Sequence, residues 1–292
     1  YLGIESNELD KHGWLLNCKN GIVDLETGLL KPHNPDYFLT QFCDTNYNPY
    51  TQCPNFKAFL KQIFAGDEDL IGFVQRALGG SIAGRDIRRH LFIAYGTGSN
   101  GKSTLLEVVE SVLGEYVATT PAQTLIQNKG RGSSIENDIA RLRGVRLVKT
   151  SELEKGQQLA EAKVKQMTGG DKVTARFLRK EYFEFTPVCD FWMSTNEKPK
   201  ITGTDQAIWN RVSLIPFEVV IPDNQKDPDL KNKLLQEKEG ILAWLVKGCL
   251  EWQSKGLNAP EKVRAATNEY QQQSDTVAQF INDCIEEQLD GC

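Results

Sequence analysis

Leu91-Phe92-Ile93-Ala94-Tyr95-Gly96-Thr97-Gly98-Ser99-Asn100-Gly101-Lys102-Ser103-Thr104, running on through Leu113 to a stop at Gly114, is the stretch on which the fold turns. An apolar run, a glycine-rich turn and a helix-forming segment follow one another without a gap. Residues 96 to 103 satisfy G-x-x-x-x-G-K-[ST] at every fixed position. Gly96, Gly98 and Gly101 let the backbone curl with its N–H groups pointing inward at an anion. Lys102 supplies positive charge for the β- and γ-phosphates of a nucleotide, and Ser103 offers a hydroxyl to Mg2+. The helix opening at Lys102 aims its positive end at the same anion. Gly96, Thr97, Gly98, Ser99, Asn100, Gly101, Lys102, Ser103 and Thr104 are therefore the expected cradle for ATP with Mg2+.

Outward from this unit, strands are expected at Leu91 to Ala94, Val145 to Val148, Phe191 to Met193 and Val212 to Ile215. Between them the pattern predicts helices at Lys102 to Leu113, Asn137 to Leu142 and Ala160 to Met167. That alternation over residues 89–220 is the mark of an α/β domain, a P-loop NTPase core with a mostly parallel sheet. Residues 1–88 form a small flanking unit. It has a β-hairpin from Leu15-Leu16 and Ile22-Val23 about Asn20-Gly21, then helices at Asn55 to Ala65 and Asp67 to Leu78. Residues 221–292 read as helical. One amphipathic helix covers Leu234 to Gln253, Pro260 opens another, and a last is expected at Asp275 to Leu289.

Composition narrows the class. The 292 residues are 40% hydrophobic and 25% charged, which is ordinary for a globular protein. No run approaches the roughly 20 apolar residues of a membrane span. Seven Cys without a CxxC pair, and only three His, argue for a reducing cytoplasm and against structural zinc. Net charge is −5, so any grip on nucleic acid must come from a local basic feature. The start at Tyr1 and the stop at Cys292 lead us to expect a fragment of a longer polypeptide.

Three further positions complete a candidate ATP site. A P-loop ATPase needs an acidic residue near a neighbouring strand end, to hold Mg2+ or polarise water. Thr150-Ser151-Glu152 follows the second expected strand, so Glu152 is the candidate for the attacking water and, with Ser103, for the metal. Ser151 stands where an Asp is usual; Glu154 is the other acidic candidate, and a plain surface carboxylate is the alternative. Phe191-Trp192-Met193 runs into Ser194-Thr195-Asn196. Asn196 would sit in the crevice beyond the strand ends, sensing the γ-phosphate, unless it only ends the strand. Arg211 precedes the last strand and is either an arginine finger or an ordinary surface residue.

The ordered set Gly96 to Ser103, Val145 to Glu152, Lys165 to Asp171, Ser194-Thr195-Asn196 and Trp209 to Phe217 resembles the superfamily 3 helicases. Within them it looks like the phage and plasmid primase-helicases related to the poxvirus primase-helicase. The likeness is tight from 90 to 217, extends to the helical unit preceding the motor, and is weak towards the C-terminus. It implies an AAA+-like core and a ring, commonly a homo-hexamer, around single-stranded or forked DNA in a bacterial host carrying a phage or mobile element. A primase domain, fused or associated, is the implied companion. It further implies that Arg211 acts on the neighbour's nucleotide, alone, because Asn210 stands where many relatives carry a second Arg. Lys172 to Pro187 corresponds to the family's DNA-binding β-hairpin. Lys172, Arg176, Arg179 and Lys180 cluster there among residues suited to strands. The competing readings are an ATP-dependent initiator or loader without processive unwinding, and a small-molecule phosphotransferase.

Overall fold

Lys19 and Asn20 turn the chain between β1 (Leu15–Cys18) and β2 (Gly21–Asp24), an antiparallel hairpin in which Cys18 faces Gly21. The computed structural model describes residues 8–84, 90–127, 133–150, 152–203 and 205–275. A third strand, β3 (Leu29–Lys31), pairs with β2; the sequence reading missed it because both of its leucines face outward. Next come α1 (Pro54–Ile63) and α2 (Glu68–Ser81). Asp67 caps α2 by accepting from the Leu70 N–H at 2.9 Å, and Glu68 and Asp69 suit the positive end of the helix.

The centre is a parallel sheet. In chain order its parts are β4 (Leu91–Tyr95), α3 (Lys102–Leu113), β5 (Val117–Thr120), α4 (Ser133–Ala140), β6 (Leu147–Thr150) and α5 (Glu161–Thr168). A small antiparallel pair, β7 (Val173–Ala175) and β8 (Phe183–Phe185), interrupts the alternation, followed by β9 (Asp190–Thr195), α6 (Gln206–Trp209) and β10 (Val212–Pro216). The strand order is β10-β4-β9-β6-β5, with every neighbouring pair parallel. The fold is thus the expected α/β class. The second core strand lies two residues later than expected, and β5, at the sheet edge and polar at Thr119-Thr120, was not anticipated.

Side-chain alternation splits the core in two. Phe92, Ala94, Trp192 and Leu147 face one side, where α1, α2 and α3 pack. Leu91, Ile93, Phe191, Met193 and Val148 face the other, with Val164 and Met167 of α5 and Ile208 and Trp209 of α6.

The C-terminal region returns to both faces. α7 (Leu230–Leu235) and α8 (Lys238–Lys255) replace the single helix expected at Leu234 to Gln253. The break has a cause: Glu237, at the joint, reaches α1. Its carboxylate accepts from the Asn55 and Phe56 N–H groups at 3.0 and 2.9 Å, capping a helix whose own Cys53 provides no cap. Nor is α8 amphipathic along its first half, since Gly240 to Val246, Gly248 and Cys249 are buried. It lies against α2 so closely that a Cβ on Gly79 would overlap the backbone of Gly248 and Cys249. α9 (Glu261–Ser274) covers the opposite face and β10, with Tyr270 against Trp209. Beyond Asp275, the last expected helix lies outside the described residues.

Candidate functional site

β4 ends at Tyr95 in the middle of the sheet, and the loop from Gly96 carries the chain over the strand ends into α3. Gly98 and Gly101 have φ of 108° and 81°, the left-handed region that glycine enters at no steric cost. A Cβ on Gly101 would lie 2.5 Å from Ile63 Cγ2, so the loop rests directly on α1. A Cβ on Gly96 would overlap the Phe217 carbonyl and the Asn100 carboxamide. The curl is held by packing on both sides.

Lys102 is 4% exposed. Its ammonium donates to Gly96 O (2.6 Å), Asn100 Oδ1 (3.0 Å) and Asn196 Oδ1 (3.0 Å), all of them neutral acceptors. Burial pulls its pKa below the usual lysine range, and the Glu152 carboxylate pushes it back up. A buried cation with no carboxylate in hydrogen-bond contact is poised for an anion of its own. Asn196, one residue past β9, is brought onto Lys102 because β9 is the neighbour of β4. Glu152, two residues past β6, is exposed and acts on Lys102 through space. Glu154 lies further along the loop, its backbone N–H bonded to Gln157, and is not among the groups that shift Lys102.

Ser194 was quoted in the sequence motif without a role. It is buried beside Ala94 at the end of β9, and its hydroxyl has no partner among the described residues; Thr150 at the end of β6 is in the same state. Such hydroxyls at strand ends beside a phosphate loop suit ordered water or substrate oxygen. No cluster of three or more His, Cys, Asp or Glu capable of holding a metal occurs among the described residues. Mg2+ does not require one, since it is commonly held by one or two protein oxygens plus substrate phosphates. The exposed Ser103 hydroxyl, the Glu152 carboxylate and the glycine cradle fit that pattern.

Arg211 is not brought to this cluster. Its carbonyl accepts from Leu91 N, so it sits level with the start of β4. Five residues of strand separate that level from Gly96, roughly 16 Å at about 3.3 Å per residue. Its guanidinium donates to Thr168 Oγ1 (3.0 Å) and Ala207 O (2.6 Å) and is half-buried at the opposite end of the sheet.

Lys172, Arg176, Arg179 and Lys180 share the β7–β8 hairpin. Arg179 adopts φ 63° in the tip, which closes with Lys180 N donating to Phe177 O at 3.0 Å. Arg179 and Lys180 are exposed, while Arg176 lies over the Tyr182 ring at 4.6 Å. Leu178 is 76% exposed beside the exposed Phe177 and Tyr182.

Known proteins match these features. The family described as D5 N terminal like matches residues 3–65, and a family of unknown function matches residues 94–211. A protein of Acanthamoeba polyphaga mimivirus named as a candidate helicase is 28% identical over 95% of this chain and 31% of its own length. A candidate helicase of Frog virus 3 is 30% identical over 80% of this chain and 26% of its own. A candidate primase of African swine fever virus is 24% identical over 96% of this chain. The chain thus spans about a third or less of the length of these relatives. Among solved structures, the apo C-terminal region of NrS-1 (305–718) superposes with a TM-score of 0.60 at 16% identity, over 77% of this chain and 53% of that one. Its D5-like N-terminal segment and its viral relatives resemble the phage and viral primase-helicases, and its fold is that of the NrS-1 C-terminal region.

Proposed function

We propose that this chain is the motor of an ATP-dependent, superfamily 3-type DNA helicase, built on an AAA+-like core and working as a ring, commonly hexameric, around single-stranded DNA during replication of a viral or mobile element. The observation that carries the reading is the Lys102 ammonium, buried in a glycine cradle and held by Asn196 from the neighbouring strand. On this reading the loop N–H groups and Lys102 bind the phosphates, Ser103 and Glu152 hold Mg2+, and Glu152 accepts a proton from the attacking water. The metal, when bound, would neutralise charge on the phosphates. Asn196 exchanges its Lys102 contact for the γ-phosphate. Arg211, remote from its own loop, serves the nucleotide of the adjacent subunit. The candidate helicase and primase names of the relatives support a replication role, and a primase domain in the longer protein is the natural companion. The relatives come from viruses of eukaryotes, so the bacterial host rests on the sequence resemblance alone. No helix among the described residues is long and apolar enough to cross a membrane.

The hairpin would supply the DNA grip. It leads through Val188 directly into β9, which ends one residue before Asn196, so one short strand joins the phosphate contact to the cationic tip. The test is unwinding of a forked duplex. The native protein unwinds it with ATP; changing Arg179 and Lys180 together to Ala abolishes unwinding and spares basal hydrolysis. Each lost phosphate contact flattens log K against log[salt] by about 0.7 for single strands. Normal unwinding by the double variant would place the DNA grip elsewhere.

A further inference from the structure

An ammonium has three N–H donors, and Lys102 uses all three, on Gly96 O, Asn100 Oδ1 and Asn196 Oδ1. To take a phosphate oxygen it must release one of these acceptors. They are not equally free to go. Gly96 O belongs to the loop backbone. Asn196 is exposed, one residue past the end of β9. Asn100 is 3% exposed and bonded at both ends of its carboxamide. Its Oδ1 accepts from Lys102 at 3.0 Å, and its Nδ2 donates to the Phe217 carbonyl at 3.3 Å.

The two neighbours dictate this bridge. An ammonium can only donate and a carbonyl can only accept, so the group between them must present an acceptor to one and a donor to the other. A carboxamide does so; a carboxylate has no donor to give. The far anchor is itself fixed. Phe217 follows β10, its N–H donates to Tyr95 O at 2.7 Å, and its ring packs on Phe64 with centroids 4.8 Å apart. The space around the bridge is closed as well. A Cβ on Gly96 would lie 2.4 Å from Asn100 Nδ2 and 2.3 Å from the Phe217 carbonyl oxygen. Gly96 does not share the positive φ of Gly98 and Gly101, so clearance rather than backbone conformation accounts for glycine there.

We propose that Asn100 is a positioning residue of the phosphate loop: its side chain acts on Lys102 rather than on the nucleotide, holding the ammonium on a fixed line from the end of β10, so that Asn196 is the acceptor released when a phosphate arrives. The proposal rests on the reading of residues 96–104 as a phosphate loop. It gives Asn100 a task that its neighbours in the loop do not share. Without the bridge, Lys102 loses one of its fixed acceptors and the Phe217 carbonyl loses its side-chain donor.

Binding of Mg2+-ATP and of Mg2+-tripolyphosphate is measured by calorimetry for the native protein, Asn100→Ala, Asn100→Asp, Lys102→Ala and the double variant Asn100→Ala with Lys102→Ala. Asn100→Ala should weaken both ligands alike, by about tenfold, the ordinary worth of a hydrogen bond to a charged group. Added to Lys102→Ala, the same substitution should cost about twofold or less, because a residue that acts through Lys102 has nothing to act on once Lys102 is gone. Asn100→Asp keeps the size of the side chain and stands in if the alanine variant does not fold. Its carboxylate would pair with Lys102 and weaken both ligands by more than about tenfold, whereas a residue that only fills space would tolerate the exchange. Native-like affinity in Asn100→Asp, or in a folded Asn100→Ala, overturns the proposal. So does a loss from Asn100→Ala that is as large without Lys102 as with it. In each case weak binding by Lys102→Ala leaves the phosphate-loop reading standing. Lys102→Ala that binds both ligands like the native protein, or native protein that binds neither, overturns that reading and the proposal together.

Discussion

Glu152 and Lys102 divide the work expected at the nucleotide. Lys102 is buried and fixed by three acceptors, which suits binding; Glu152 is exposed and touches it only through the field, which suits a group that must change protonation. Glu152→Gln keeps the shape and removes the base. ATP affinity, read with a fluorescent analogue, should stay within about twofold, while kcat falls by about 10²-fold or more, the usual range for a lost general base. The same defect in Glu154→Gln, with Glu152→Gln active, would move the role two residues along the loop. At this scale the sequence was most informative where chemistry is local. Residues 96–104 could be read directly because the loop needs specific residue types at fixed spacing. Ser194 and Thr150 could not be singled out, because an unpartnered hydroxyl is a property of its surroundings, visible only once β9 and β6 are in place.

Among the elements, α3 matches its expected bounds because an N-terminal glycine motif and a C-terminal Gly114 fix both ends. The helix expected from Leu234 failed for the opposite reason. Its break at Glu237 serves the N-terminus of α1, and nothing local in that stretch announces so distant a partner. On α1 the helical period of Phe56, Phe59, Leu60 and Phe64 marks one face, and all four are buried in the core. α5 offers an independent check of packing. Lys163 buries its ammonium with no hydrogen-bond partner among the described residues, and burial lowers its pKa to about 8, with Asp138 pulling the other way. The charged form is thus disfavoured in the folded protein. Below about pH 8 Lys163 is protonated in both states and the cost is fully present; between there and the ordinary lysine value of 10.5 the unfolded chain holds the extra proton and stability rises. Lys163→Met should raise the melting temperature at pH 7, by an amount that shrinks as pH climbs from 8 towards 10.5. A gain that does not change with pH would mean the benefit is packing rather than charge.

Taken whole, the molecule is built on one sheet with a core on each face, the glycine-rich loop at one end and Arg211 at the other. The three segments read from sequence, 1–88, 89–220 and 221–292, do not keep separate interiors: α2 of the first packs on α8 of the last, against α3 of the middle. Arg146, from the middle, donates to the Leu15 and Ile82 carbonyls at 2.5 and 2.7 Å and stacks on Tyr116. Sequence periodicity identified the pieces; their union depends on contacts between residues 64 and 131 positions apart, which no local pattern encodes. Arg211 and the phosphate loop sit at opposite ends of the same sheet, so completing one site with both requires a second chain. Loss of an arginine finger costs about 10³-fold or more in rate. Arg211→Ala and Lys102→Ala should each be inactive, and mixing them should restore part of the ATPase, because some interfaces then join an intact loop to an intact Arg211. No recovery in verified mixed oligomers would argue against action between subunits.

A DNA motor must couple hydrolysis to DNA. The measurement that tests this most directly is the steady-state ATPase rate of the native protein, with and without single-stranded DNA, across a salt series. We predict a basal rate that single-stranded DNA of any sequence raises several-fold at low salt, with the stimulation fading as salt displaces the phosphate contacts. Hydrolysis that proceeds at the same rate with and without DNA at low salt would contradict a DNA motor and leave an ATPase of another kind.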